Sequence, residues 1–278
     1  MDWLSTAIAS ALKEGRGLAV GKLGTCEAET VFTHHFRYPY SHQVVRAMTR
    51  NAGLWPETAL LTWATHMTTE VLPAMDHMIA WYNPTHEGTA MAYARTAEVH
   101  EGLHWFNPWE VPWTKVLPVG TRVAVVSPFA TSISLQIPRL NSLFSKPLWN
   151  DPVILPIRTG CSPALDATSA AAWSPAILAG GWTKAVDEVV QQVLESGARV
   201  ALVGCGALSL PIVAALKRRG IIAIHLGGAV QVLFGIRGRR WLADKDIGPL
   251  MKSPLWRDPL PTETPQNAKQ VEGGCYWI

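Results

Sequence analysis

The sequence predicts an α/β protein built on a doubly wound, mainly parallel sheet, with a helical insertion from about residue 41 to residue 100. Three observations carry this expectation. Four runs in the second half, RVAVVSP, PVILPIR, RVALVGCG and IIAIHLGG, are β-branched and apolar on both faces, and each is closed by Pro or Gly. Strands of that kind suit a parallel sheet covered by helices on either side. Amphipathic stretches lie between these runs, so strand and helix alternate as doubly wound sheets require. Finally, 278 residues with 48% hydrophobic and only 16% charged side chains can fill a large core, and one domain spanning 1–278 is expected.

From the start of the chain, Trp3, Leu4, Ala7, Ile8, Ala11 and Leu12 recur at helical spacing until Gly15 and Gly17 end the pattern. LAVGKLG reads as a buried strand over Leu18 to Leu23 with its turn. CEAETVFTHHF reads as a helix beginning near Thr25, whose hydroxyl is the expected N-cap. From Ser41 to Tyr82 the periodicity predicts two or three helices with a kink at Pro73, and a further helix is expected from His86 to His100. The stretch HWFNPWEVPWTKVLP holds too many prolines for helix or central strand and reads as a connection packed on its own aromatics.

Strands are then predicted over Arg122 to Ser127, Val153 to Ile157, Arg199 to Gly204 and Ile221 to Leu226. Helices are predicted in SISLQIPRLNSLF, WTKAVDEVVQQVLESG and ALSLPIVAALKRRG. In the second of these, Trp182, Ala185, Val186, Val189, Val190, Val193 and Leu194 form one apolar stripe. The Pro-rich end, about 253–278, reads as an irregular strap over the domain.

Composition also excludes function classes. With 24 Lys+Arg against 21 Asp+Glu the net charge is +3, which calls for neither nucleic acid nor an anionic membrane and leaves acidic small molecules open. No apolar run approaches a membrane span, and Lys13 and Glu14 break the first helix, so no signal peptide is expected and the chain reads as cytoplasmic. Cys26, Cys161, Cys205 and Cys275 show no metal-ligand spacing, which predicts reduced thiols and no structural zinc site. The 13 tryptophans are scattered and read as large core and rim residues.

Chemistry is expected beyond the carboxyl ends of the strands, where glycines let a ligand approach the backbone and helix N-termini supply N–H donors. Four segments fit: GKLGTCE with Lys22, Gly24 and Thr25; VVSPFATS with Ser127 and Phe129; LVGCGALS with Gly204 and Gly206; and IHLGGAVQ with His225, Gly227, Gly228 and Gln231. The Gly204–Gly206 pair lacks the third glycine of a dinucleotide fingerprint, and the following strand ends in His225 rather than an acid, which argues against NAD. Glu27 falls in the first turn of its helix, where a carboxylate either caps that helix or serves a ligand. Ser127 either caps the next helix or meets a phosphate. Arg237, Arg239 and Arg240 form either a solvated edge or a phosphate or acceptor contact.

The segment GLAVGKLGTCEAE resembles the N-terminal strand, glycine turn and acidic motif of GT-D-type glycosyltransferases. TRVAVVSPFATSISLQ is similar to a second segment of that family, and LVGCGALSLPIVAALKRRGIIAIHLGGAVQVLFGIRGRRW and the ending VEGGCYW are similar to blocks of its bacterial and viral relatives. The resemblance implies a Rossmann-like, nucleotide-diphosphate-sugar-dependent transferase acting on a hydroxyl acceptor. It casts Glu27 as the catalytic or donor-holding carboxylate, and the residues of the four turns, with Arg239, as donor-binding. The family's Asp-x-Glu motif helps to hold a divalent metal, and here Thr25 stands at the Asp position. Threonine is a neutral, weak ligand for Mn²⁺ or Mg²⁺, leaving Glu27 as the only charged ligand of the motif. Lys22, Arg237, Arg239 or Arg240 can instead offset a diphosphate. The rival expectation is a non-catalytic module binding a nucleotide or phosphorylated ligand on the same turns.

Overall fold

The computed structural model describes residues 2–278. Its strands are β1 (Leu18–Lys22), β2 (His77–Ala80), β3 (Glu98–Glu101), β4 (Arg122–Ser127), β5 (Val153–Arg158), β6 (Val200–Val203) and β7 (Ile222–His225). They form one seven-stranded, all-parallel sheet in the order β3-β2-β1-β7-β6-β4-β5, a Rossmann-like α/β architecture. All five strands expected from the sequence belong to it. The helices are α1 (Trp3–Glu14), α2 (Thr25–His35), α3 (His42–Arg46), α4 (Leu60–His66), α5 (Pro84–Met91), α6 (Ala130–Gln136), α7 (Pro175–Glu195), α8 (Ser209–Arg218), α9 (Ala229–Leu233) and α10 (Ile247–Met251). Among the described residues no helix is long and apolar enough to cross a membrane.

The steps β1→β2→β3, β5→β6 and β6→β7 run across the sheet in one direction, and β4→β5 runs in the other. Right-handed crossovers therefore place the connecting helices on opposite faces. One face packs against α2, α4, α7 and α8, and the other against α1, α6, α9 and the aromatic connection of Phe106, Trp113 and Leu117.

The two faces differ in side-chain size. On the first, Ala124, Ala201, Ala223 and Ala19 are register partners on four adjacent strands, and all are fully buried. On the second, the neighbouring positions are Val123, Val125, Val200, Leu202, Ile222, Ile224, Leu18 and Val20. The alanine row lets α8 lie low over β1 and β7. Two glycines carry the close approach further. A Cβ on Gly21 would stand 2.4 Å from the Leu210 side chain, and one on Gly17 2.2 Å from the Lys217 carbonyl oxygen.

The expected all-helical insertion needs correction. It supplies helices α3, α4 and α5, but also β2 and β3. In β2 the buried pair Met78 and Ile79 faces both ways, and a four-residue run of that kind cannot be told from helix by periodicity. The helix expected to reach His100 ends at Met91, and the polar edge strand Glu-Val-His-Glu follows. The kink at Pro73 is a helix end, where a π-helical turn (Met67–Val71) passes into a 3₁₀ turn (Leu72–Ala74). The helix predicted from Trp182 is the second part of α7, which breaks at Gly181 with φ 73°.

The capping expectations change too. Gly24, not Thr25, occupies the N-cap of α2, with no side-chain cap bond. The Ser127 hydroxyl accepts the Phe129 N–H within its own turn (3.2 Å) and does not cap α6. That helix is capped from the C-terminal strap. Glu263 Oε1 accepts the N–H groups of Thr131 (2.8 Å) and Ser132 (3.0 Å), and Oε2 accepts the Ser132 hydroxyl. The strap is irregular, as expected, and Glu263 ties it down.

Glu263→Ala leaves two helix N–H groups unpartnered and takes from the buried Ser132 hydroxyl the acceptor of its hydrogen. We expect it to lower unfolding free energy by about 1–3 kcal/mol, measured by urea unfolding. Glu263→Gln, which keeps one acceptor oxygen, should recover part of that loss.

Candidate functional site

β4 is followed by α6 on one face and β6 by α8 on the other, so the adjacent carboxyl ends of β4 and β6 mark a topological switch point. Open α/β sheets bind ligands in that crevice. Here a cavity of about 270 Å³ opens there, and the turns after β1, β4, β6 and β7 all line it. The strand-end spacing that separates these turns in sequence by up to 200 residues brings Glu27, Lys22, Gly24, Thr25, Ser127 and Phe129 to one place. Gly204, Gly206, His225, Gly227, Gly228 and Gln231 join them. Arg239 is the exception: it is exposed, does not line the cavity, and donates to the Gly273 carbonyl (3.3 Å). Its neighbour Arg240 is also exposed but lines the cavity, donating to the Tyr276 hydroxyl (2.8 Å) with its guanidinium over that ring. Arg237 is structural, bound to the Met251 and Ser253 carbonyls and paired with Asp258.

Lys22 ends β1 with its ammonium 5.1 Å from the centre of the Trp81 ring, and among the described residues it has no ion pair or hydrogen-bond partner. Burial lowers its pKa to about 8; Glu27 opposes that shift and Arg240 adds to it. His225 ends β7, is 5% exposed, and points Nδ1 at the Lys22 carbonyl (2.8 Å). A carbonyl only accepts, so Nδ1 carries the hydrogen and Nε2 keeps a free lone pair. Burial, followed by the Lys22 charge, pulls the His225 pKa down to about 3, so the ring is neutral.

Both groups converge on one glycine. A Cβ on Gly227 would lie 3.5 Å from His225 Nε2 and 3.5 Å from Lys22 Nζ, and Gly227 has φ 58°. Glu27 is buried beside them with its carboxylate folded over Gly24, where a Cβ would meet Oε2 at 2.2 Å. Burial raises its pKa, against the pull of its own backbone N–H and of Lys22. Glu27 thus folds over the start of its own helix and also lines the cavity.

Other glycines of the turns serve packing. A Cβ on Gly204 would stand 2.5 Å from the Gly227 carbonyl oxygen, and one on Gly206 2.2 Å from that of Ala52. Gln231 lines the cavity, but its amide nitrogen is engaged within the protein. Its Nε2 donates to the carbonyls of Arg237 (2.8 Å) and Tyr276 (2.7 Å), tying α9 to the strap.

Several lining residues escaped the sequence reading. A π-helical turn (Ala47–Asn51) delivers Arg50 and Asn51 from the insertion, and Arg50 has no hydrogen-bond or ion-pair partner among the described residues. Such turns often mark functional sites, but no sequence pattern announces one. Trp81 enters at the end of β2, held by its N–H to Glu87 (3.1 Å) and its indole to the Leu23 carbonyl (2.9 Å). Trp173 comes from the segment after β5, and Glu272, Tyr276 and Trp277 come from the strap. Buried Thr159 Oγ1, Trp173 Nε1 and Gln231 Oε1 belong to lining residues and have no partner. Orphaned polar atoms are uncommon in folded proteins and fit a place where a ligand or water completes them.

The chain matches no family model, no curated protein and no solved structure.

The donor set around Thr25 and Glu27 does not fit a divalent cation held by the protein. Thr25 contributes a neutral hydroxyl, and the lysine ammonium already acts on Glu27. Among the described residues, no three potential ligand side chains of the cavity come within sharing distance of an ion.

The neutral His225 gives a pH test. Unfolded, the ring takes its proton near pH 6.5; folded, near pH 3. Between those values the unfolded chain binds the extra proton, so this contribution is whole above pH 6.5 and drains away as pH falls toward 3. The cost approaches about 1 kcal/mol per pH unit. Urea unfolding of wild type and His225→Gln across this range should give a steeper acid loss in wild type; equal slopes would contradict a buried neutral ring.

Proposed function

We propose that this chain is a glycosyltransferase of GT-D-like type that moves a sugar from a nucleoside-diphosphate sugar to a hydroxyl acceptor. The observation that carries this reading is the meeting of Lys22 Nζ and His225 Nε2 beside the open backbone of Gly227, with the Glu27 carboxylate lining the same cavity from the Gly24 turn, at the switch point of a parallel sheet. The resemblance of GLAVGKLGTCEAE to the family's acidic motif supports the same assignment.

The roles follow from the chemistry of transfer. As the bond from the anomeric carbon to the diphosphate breaks, its electron pair goes to the phosphate oxygen. Lys22, Arg50 and Arg240 supply positive charge around that oxygen. The acceptor oxygen bonds to the anomeric carbon and its proton passes to Glu27, whose raised pKa suits a general base. His225 Nε2 accepts a hydrogen bond from a donor hydroxyl and orients the sugar. Trp81, Trp173 and Trp277 offer faces for the base and the sugar ring. Because side-chain cations offset the diphosphate, transfer does not require Mn²⁺ or Mg²⁺ held by the motif.

Glu27→Gln tests the base. Turnover, followed by chromatography of released nucleoside diphosphate, should fall about 10²–10⁴-fold, with nucleotide affinity nearly unchanged and stability within about 1 kcal/mol of wild type. Full activity would return Glu27 to its capping role. Nucleotide binding without turnover in any acceptor screen would favour a binding module, the reading that Thr25 in place of Asp supports.

Lys22→Met tests the phosphate contact. Removing an unpaired, half-buried charge should raise unfolding free energy by about 1–2 kcal/mol. Calorimetry with nucleoside diphosphates, in EDTA and in Mn²⁺, should show affinity weakened roughly ten- to hundredfold in the same variant. Unchanged affinity would remove Lys22 from the site.

A further inference from the structure

We propose that His77, Glu98 and His100 bind a zinc ion, or a cation of the same borderline class, and that the ion clips the outermost strands of the sheet against α1. These residues lie toward the amino ends of β2 and β3, and none of them lines the cavity described above. His77 pairs in register with Glu98, and His100 follows two positions on, so the side chains of Glu98 and His100 share a face of β3.

The donor atoms are already placed for coordination. His77 Nδ1 and His100 Nε2 stand 3.1 Å apart. Glu98 Oε2 lies 3.6 Å from the first and 3.9 Å from the second. Ligand bonds of about 2.0–2.1 Å at tetrahedral angles put donors roughly 3.3 Å apart. The nitrogen pair meets that spacing, and the carboxylate needs to close by only a few tenths of an ångström. Glu98 is on an exposed side chain (72%), so it is free to do so and leaves the fourth position open to water.

The surroundings hold the rings in the form a metal needs. Trp3 of α1 stacks on His100 with centroids 3.7 Å apart and planes 3° from parallel, and lies 5.0 Å from His77. Stacking fixes the plane of the imidazole and leaves its edge free, and the metal bond lies along that edge. Of the charges near His77, Asp76 and Lys217 are paired with each other (2.8 Å). Two neutral imidazoles at this distance share one hydrogen, and the ring that carries it has only to move it to its other nitrogen. Imidazole with carboxylate is a donor set that suits zinc and its neighbours. The four free cysteines take no part, so the spacing rules that exclude a cysteine site do not bear on this one.

The test uses the full chain dialysed against a chelator and titrated with ZnCl₂ by calorimetry. One equivalent should bind and raise the thermal midpoint, and Co²⁺ in its place should show the intense absorption of a tetrahedral site. Glu98→Ala alters an exposed side chain and so preserves the fold. It should weaken Zn²⁺ at least tenfold and abolish the thermal gain, and His100→Ala should abolish binding. The proposal is overturned if the wild type takes up no Zn²⁺, or if uptake is unchanged in Glu98→Ala and His100→Ala proteins that circular dichroism shows to be folded.

Discussion

The register that aligns Ala124, Ala201, Ala223 and Ala19 across four neighbouring strands is the constraint on which the rest depends. Methyl groups in a row make a shallow surface, and α8 settles onto it so closely that Gly17 and Gly21 leave no room for a Cβ. The same register fixes how far each strand extends. β1, β7, β6 and β4 therefore end at one level, and the four turns that follow them surround a single cavity. A slip of one residue in any of these pairings would turn alanine to the opposite face, put valine or isoleucine under α8, and move a turn out of the cleft.

The cavity has a roof as well as a floor. Glu263 reaches from the strap to the start of α6 and takes the position where a helix end would otherwise attract an external anion. Gln231 holds the strap from beneath through the Tyr276 carbonyl, and Arg240 meets the Tyr276 hydroxyl from the side. The start of α6 is thus satisfied from within the protein, whereas Lys22 and His225 meet beside Gly227 with no side chain covering its backbone.

The cleft carries groups that do not stabilise the chain. Lys22 is half-buried without a partner, and three lining residues hold unpartnered polar atoms. Each costs stability in the absence of a ligand. Such costs persist where a structure is arranged for binding or catalysis rather than for its own folding. The support behind Trp81, by contrast, is satisfied: the Glu87 carboxylate accepts the Trp81 and Tyr82 N–H groups.

The sequence by itself determined the sheet's central strands and the turns after them. β-branched runs apolar on both faces can be satisfied only by burial between two helical layers, and a glycine after a strand marks a turn wherever the strand lies. Composition gave no hint of β2 and β3, because four residues buried on both faces have no period, and the polar edge strand Glu98–Glu101 has no apolar signal. Only the tertiary structure decided which arginine enters the cleft. Arg239 and Arg240 are adjacent and alike, and the direction of a 3₁₀ turn points one to the Gly273 carbonyl and the other to Tyr276 at the cavity. It likewise decided that Arg50, Trp173 and Glu272 join the site and that Ser127 does not cap α6, since those facts depend on contacts between segments about a hundred or more residues apart. Local chemistry is written residue by residue, whereas partners across the fold exist only once strand order and register have been fixed.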